Sequence, residues 1–216
     1  MLDPVNAPEA STPEAASATE LAIALRDQLA TAKLRLVLVE SCTAGGVAAC
    51  LGLLPGISQW MCGSLVVYRS ASKSAWLGVP QALLDDPRQG PVSSAASSWL
   101  ARAALTRTPE ADLAIAITGD VGPGAPAATD GYIFLAAARR PTVQLAVPTP
   151  QQKMPSAALD QPLDSVCLVK QWQQRLANPT PRDSLDIAGR QARLEEATKW
   201  TLKFATDVAA EKFAPS

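Results

Sequence analysis

The run Leu34 to Val39, alternating and rich in leucine and valine, passes without a break into Glu40-Ser41-Cys42-Thr43-Ala44-Gly45-Gly46. Its pattern predicts a strand, and the apolar spacing of Val47, Ala48, Cys50 and Leu51 predicts a helix directly after it. A strand that turns sharply into a helix over small hydroxyl residues and glycine presents side-chain oxygens and unpaired backbone N–H groups at the positive end of a helix dipole. Such a corner suits an anion or the oxyanion of an acyl transfer. The chain contains no histidine, which excludes a Ser-His-Asp triad and any histidine metal site. A nucleophile at this corner needs a different base.

The rest of the chain repeats the alternation of strand and helix. Leu21 to Leu29 has helical apolar spacing, Ser64 to Tyr68 reads as a second strand, and Ser70 or Ser72 is placed to cap a short helix holding Lys73 to Leu77. Ser93 caps an alanine-rich helix from Ser94 to Leu105, and Asp112 to Ile117 is an apolar strand of the kind covered on both faces. It ends in Thr118-Gly119-Asp120-Val121-Gly122-Pro123-Gly124, a loop incompatible with helix. Tyr132 to Ala138 and Val143 to Val147 are expected strands four and five, and Arg190 to Val208 a closing helix. This order predicts an α/β fold with helices on both sheet faces, a three-layer α/β/α sandwich formed as one domain over residues 19–212. Residues 1–18, rich in alanine, proline, serine, threonine and glutamate, are expected to be a disordered tail. The stretch Pro148 to Asp183 breaks the rhythm with six prolines and is expected to be a surface insertion with a short helix from Val166 to Leu176.

Composition narrows the partners. A net charge of −1 over 216 residues gives no electrostatic footprint for nucleic acid. No apolar run reaches the roughly 18 residues of a membrane span, and the N-terminus lacks the pattern of a signal peptide. The four cysteines have no paired spacing and are expected to be free thiols of a cytoplasmic protein. No cofactor and no metal are expected.

Three polar clusters fall at strand ends, where α/β proteins place their ligands: Ser41 to Gly46, Tyr68 to Lys73, and Thr118 to Gly124. A lysine in the first turn of a helix opposes the helix dipole by about 0.3–1 kcal/mol. That is less than one pKa unit, so a neutral Lys73 also needs desolvation in a cleft. Cys42 is a rival nucleophile to Ser41, since a thiol at a helix N-terminus is expected to have a lowered pKa.

Together, Glu40-Ser41-Cys42-Thr43-Ala44-Gly45-Gly46, Pro55-Gly56-Ile57-Ser58, Tyr68 with Lys73, Leu77-Gly78-Val79, Gly90-Pro91-Val92-Ser93 and Thr118 to Gly124 resemble, in order, the motifs of the CinA C-terminal domain family. The resemblance covers about residues 20 to 147 and the last helix, and is to the stand-alone form of that domain. It implies an α/β/α fold and a nicotinamide mononucleotide deamidase, an amidohydrolase that releases nicotinate mononucleotide and ammonia in pyridine nucleotide salvage. By this resemblance Ser41 is the nucleophile, Lys73 its base, and Tyr68 a relay or the donor to the leaving ammonia. Backbone groups at Thr43, Gly45 and Gly46 would bind the oxyanion, Thr118, Gly119, Gly122 and Gly124 the nucleotide, and Arg190 or Arg193 the phosphate. A small-molecule nucleotide is the expected partner, in a homo-oligomer.

The chain also departs from the family pattern. Asp120-Val121 stands where relatives carry Ile-Ala, Ala125-Pro126-Ala127-Ala128 replaces a glycine-rich stretch, and Gly189-Arg190 with Arg193 replaces Gly-Asp-Arg and its second arginine. A negative charge at Asp120 is expected to weaken nucleotide binding. The alternative to an amidohydrolase is a non-catalytic nucleotide-binding or assembly domain of the same fold.

Overall fold

The computed structural model of the protein describes residues 16–140 and 166–211. The expected strand at Val143 to Val147, most of the expected N-terminal tail, and residues 148–165 of the proline-rich stretch lie outside them.

Helix α1 (Ala18–Ala32) is started by a capping box, in which Ser17 accepts from the Glu20 N–H and the Glu20 carboxylate accepts from the Ser17 N–H. The chain continues through β1 (Leu36–Glu40), α2 (Gly46–Gly52), a 3-10 turn at Ile57–Gln59, β2 (Met61–Val66), α3 (Ser70–Leu77), α4 (Gln81–Leu84), α5 (Ser94–Arg107), β3 (Leu113–Gly119), β4 (Tyr132–Arg139), β5 (Cys167–Arg175) and α6 (Ile187–Ala210). The sheet order is β2-β1-β3-β4-β5. Strands β2, β1 and β3 are parallel, whereas β4 and β5 run antiparallel to their neighbours.

Alternation along the strands divides the core into two layers. Leu36, Leu38, Leu113, Ile115, Ile117, Ile133 and Leu135 pack with residues of α1, α2 and α6 on one face. On the other face Val37, Val39, Ala114, Ala116, Ala136 and Ala138 meet α5 through Leu100, Ala101, Ala103 and Ala104. Small residues on both sides of that second contact let α5 lie close to the sheet. The three-layer α/β/α sandwich expected from sequence is the observed fold.

The expected helix at Val166 to Leu176 is instead strand β5, paired with β4 from Tyr132↔Arg175 to Arg139↔Cys167. Its partner explains the difference: without β5, the eight-residue β4 would present a row of unpaired backbone groups. The strand is anchored by Trp172, whose ring lies 4.7 Å from that of Trp200 and 6.5 Å from that of Phe204 on α6. Trp172→Ala is expected to lower stability by about 3 kcal/mol, measured by urea unfolding. A change below about 0.5 kcal/mol would mean that α6 holds its place without β5.

Candidate active site

Strand β1 ends on Glu40, a carboxylate only 1% exposed. It accepts from the Thr43 hydroxyl at 2.8 Å, from the Val47 and Ala48 N–H groups at 3.0 Å each, and from the Ser64 hydroxyl at 3.1 Å. One side chain thus ties the end of β1 to the start of α2 and to β2. The turn between them passes through left-handed backbone at Ala44 (φ 53°) and Gly45 (φ 95°). The first free N–H groups of α2 are satisfied by the protein's own carboxylate rather than left open for a ligand.

Placement therefore differs from expectation at the oxyanion-binding residues. Thr43, Gly45 and Gly46 do not line the cleft that Ser41 faces. The Ala44 N–H donates to Ser41 O at 3.0 Å and the Gly46 N–H to Thr43 O at 2.9 Å. Gly46 is small because α6 is close: a Cβ there would come within 3.0 Å of the Thr198 hydroxyl. The Cys42 N–H, on the cleft wall, makes no hydrogen bond to another residue among those described. Glu40 itself escaped the sequence reading. Its signal was an acid ending an otherwise apolar strand just before a helix start.

The cleft has a volume of about 330 Å³ and opens at the C-terminal ends of the three parallel strands. Ser41, Tyr68, Lys73, Gly119, Gly122 and Arg190 all contribute to its wall. The Ser41 hydroxyl has no hydrogen-bond partner among the described residues and is not sealed from the cleft. Lys73 is 2% exposed, and its Nζ donates to Pro91 O at 3.2 Å and to Thr118 Oγ1 at 3.3 Å. Thr118, fully buried behind it, donates in turn to Pro91 O at 2.8 Å. Burial holds the Lys73 ammonium below its ordinary pKa, against the opposing pull of Cys42 and Asp120. No hydrogen bond joins Lys73 to Ser41, although both line the cleft.

Tyr68 is half-exposed at the mouth. Its oxygen accepts from Arg190 at 2.6 Å, and the other end of that guanidinium donates to the Gly122 carbonyl. Arg190 thus bridges the Tyr68 segment and the glycine loop across the opening.

The two arginines have different places. Arg193 is 3% exposed and does not line the cleft. It pairs with Asp130 at 2.8 Å and donates to Thr180 and to Asn178 O. Gly131 and Gly122, both at positive φ, make room for it, since a Cβ on Gly131 would lie 3.0 Å from the guanidinium. Cys42 is also unlike its expectation. Burial pushes its thiol up to about 12, so the helix N-terminus does not activate it. Among the described residues no group of three histidine, cysteine or acidic side chains is placed to hold a metal, and no helix is long and apolar enough to cross a membrane.

The sequence model of the CinA C-terminal domain matches residues 18–165. A Pseudomonas putida protein named nicotinamide-nucleotide amidohydrolase PncC is 35% identical over 120 residues, covering 55% of this chain and 73% of that protein. A CinA-like protein of Geobacter metallireducens is 40% identical over 105 residues, covering 48% of this chain but only 25% of its own length. Among solved structures, a CinA superfamily protein of Klebsiella pneumoniae superposes with a TM-score of 0.67 at 19% identity, over 90% of this chain and 98% of that one. The competence/damage-inducible protein CihA of Agrobacterium tumefaciens superposes at 0.63 with 24% identity, over 87% and 92%. At these identities the structures establish a shared fold. The matched residues include the three parallel strands and the cleft residues Ser41, Lys73 and Gly119, and by that match the chain belongs to the CinA C-terminal domain family.

Proposed function

We propose that this cleft hydrolyses the carboxamide of nicotinamide mononucleotide, giving nicotinate mononucleotide and ammonia in the cytoplasm. The observation that carries the reading is an open serine hydroxyl sharing a cleft with a lysine whose burial favours the neutral amine. The name of the Pseudomonas putida relative supports the choice of substrate.

A neutral Lys73 has two N–H donors and one lone pair. Pro91 O and Thr118 Oγ1 accept from the nitrogen, which accounts for both donors and leaves the lone pair for a proton. As Ser41 Oγ bonds to the carboxamide carbon, its proton passes to Lys73, directly or through one water. The backbone N–H of Cys42, a residue of the cleft wall, would serve the oxyanion, a contribution of about 3 kcal/mol. Breaking the carbon–nitrogen bond requires a proton on the leaving nitrogen. Tyr68, whose own O–H is left free because Arg190 donates to its oxygen, would relay to that nitrogen the proton that Lys73 took from Ser41, which returns Lys73 to its neutral form. Water then attacks the seryl ester with Lys73 again taking the proton, which releases the carboxylate and restores Ser41. Arg190, at the mouth, is the cation for the phosphate.

Purified protein incubated with the nucleotide is expected to release ammonia, and Ser41→Ala to lower kcat by at least about a thousandfold. No release from the wild type would leave a binding domain without turnover.

The lysine gives two pH effects. The rate is expected to rise with pH through the lowered Lys73 pKa, and Lys73→Arg to be nearly inactive because guanidinium stays charged. Stability follows a related rule. Between the lowered folded pKa and the ordinary value of 10.5, the unfolded chain binds more protons at this site than the folded one, so stability rises with pH across that window. Lys73→Met is expected to flatten that slope in urea titrations at several pH values.

Arg190→Ala is expected to raise KM for the nucleotide with little loss of stability. Arg193→Ala is expected to cost about 3 kcal/mol in unfolding experiments, since it strands the Asp130 carboxylate. Kinetics and melting curves on both variants would separate the roles, and a reversed pattern would place the phosphate on Arg193.

A further inference from the structure

Asp120 is a carboxylate on the cleft wall that makes no ion pair among the described residues. Its Oδ2 accepts the Thr129 hydroxyl, and its Oδ1 has no partner among the described residues. Its backbone is pinned on both sides, with the Asp120 N–H donating to Tyr132 O at 3.0 Å and its carbonyl accepting from Gly131 at 2.8 Å. Neither Lys73 nor Arg190 pairs with it. Lys73 donates to Pro91 O and Thr118, and Arg190 donates to Gly122 O and Tyr68. The Asp120 charge is felt at Lys73 and at Cys42, the sequence neighbour of Ser41. A partly desolvated carboxylate with one oxygen open to a cleft is compensated when a ligand supplies the positive charge.

We propose that Asp120 is a specificity-determining residue that recognises the positive charge of an N-substituted pyridinium ring whose carboxamide faces Ser41. This rests on the amidohydrolase reading above and deepens it. An N-ribosylated nicotinamide carries a cationic ring at one end and an anionic phosphate at the other. The cleft presents the complementary pair, with Asp120 on the wall near Lys73 and Arg190 at the mouth. Free nicotinamide, whose ring is neutral, gains nothing from Asp120. The sequence alone suggested that this charge would repel the phosphate, but its open oxygen and its coupling to Lys73 fit it for the ring.

The test compares nicotinamide mononucleotide with its reduced dihydropyridine form, which keeps the carboxamide, ribose and phosphate but has a neutral ring. Binding of both is measured by calorimetry on the full chain carrying Ser41→Ala, with and without Asp120→Asn. Asparagine keeps an oxygen for Thr129 and removes the charge. The expected result is tighter binding of the oxidised form by about tenfold, falling to near parity in Asp120→Asn because only the oxidised form weakens. The proposal is overturned if Asp120→Asn tightens the oxidised form, weakens both forms equally, or leaves both constants unchanged. It is also overturned if neither form binds. Ammonia release by the wild type is read separately. Hydrolysis without a ring-charge preference sinks this inference alone, whereas a preference without hydrolysis sinks the amidase reading and leaves Asp120 as a recognition residue.

Discussion

The buried carboxylate of Glu40 is the interaction on which the cleft depends. Four donors from three elements converge on it, and each bond is charge-assisted. Burying a carboxylate is unfavourable unless its oxygens are filled, and here two of the four donors are N–H groups that would otherwise be orphans at the start of a helix. The result is a corner whose geometry is fixed one residue before Ser41. It also means that the dipole of α2 is already answered by the protein. In the proposed hydrolysis, developing charge would therefore be met by local donors and cleft side chains rather than by a helix end.

Lys73, Thr118 and Pro91 form a second fixed unit, on the floor of the site. The hydroxyl of Thr118 accepts from the lysine and donates to the same carbonyl that the lysine uses. This small closed network holds the amine in one place while burial weakens its hold on a proton. Position and proton affinity are thereby set by the same contacts. Arg190 plays the opposite part, because its two bonds join separate loops at the mouth, Tyr68 on one and Gly122 on the other.

Much of this was legible in the chain. The alternation in Leu34 to Val39, the small residues after it and the apolar run ending at Ile117 located the parallel strands, because fully covered strands leave a strong pattern. Ser41, Tyr68 and Lys73 fell into one cleft for the same reason, since parallel strands bring their C-terminal ends to one edge. What the pattern could not show was which polar groups satisfy one another. Thr43 looked like a ligand donor but serves Glu40. Arg193 resembled Arg190 in sequence but lies on the buried side of α6, against Asp130. Strand β5 was misjudged because an exposed edge strand with glutamines and lysine has no apolar alternation to betray it, and its strand identity comes from pairing with β4.

The mixed direction of the sheet has a bearing on the order in which the molecule is assembled. The antiparallel β3–β4 pair is joined by the loop of residues 120–131, whereas the parallel pairs need longer crossovers through helices before they can register. Arg190, on the last helix, reaches back to Tyr68 and Gly122. A chain emerging from the ribosome therefore has Ser41 and Lys73 early, but the mouth of the cleft is completed only when α6 docks. The last helix therefore closes a cleft whose floor is laid down by segments made long before it, and a change that loosens α6 reaches the mouth of the cleft through Arg190.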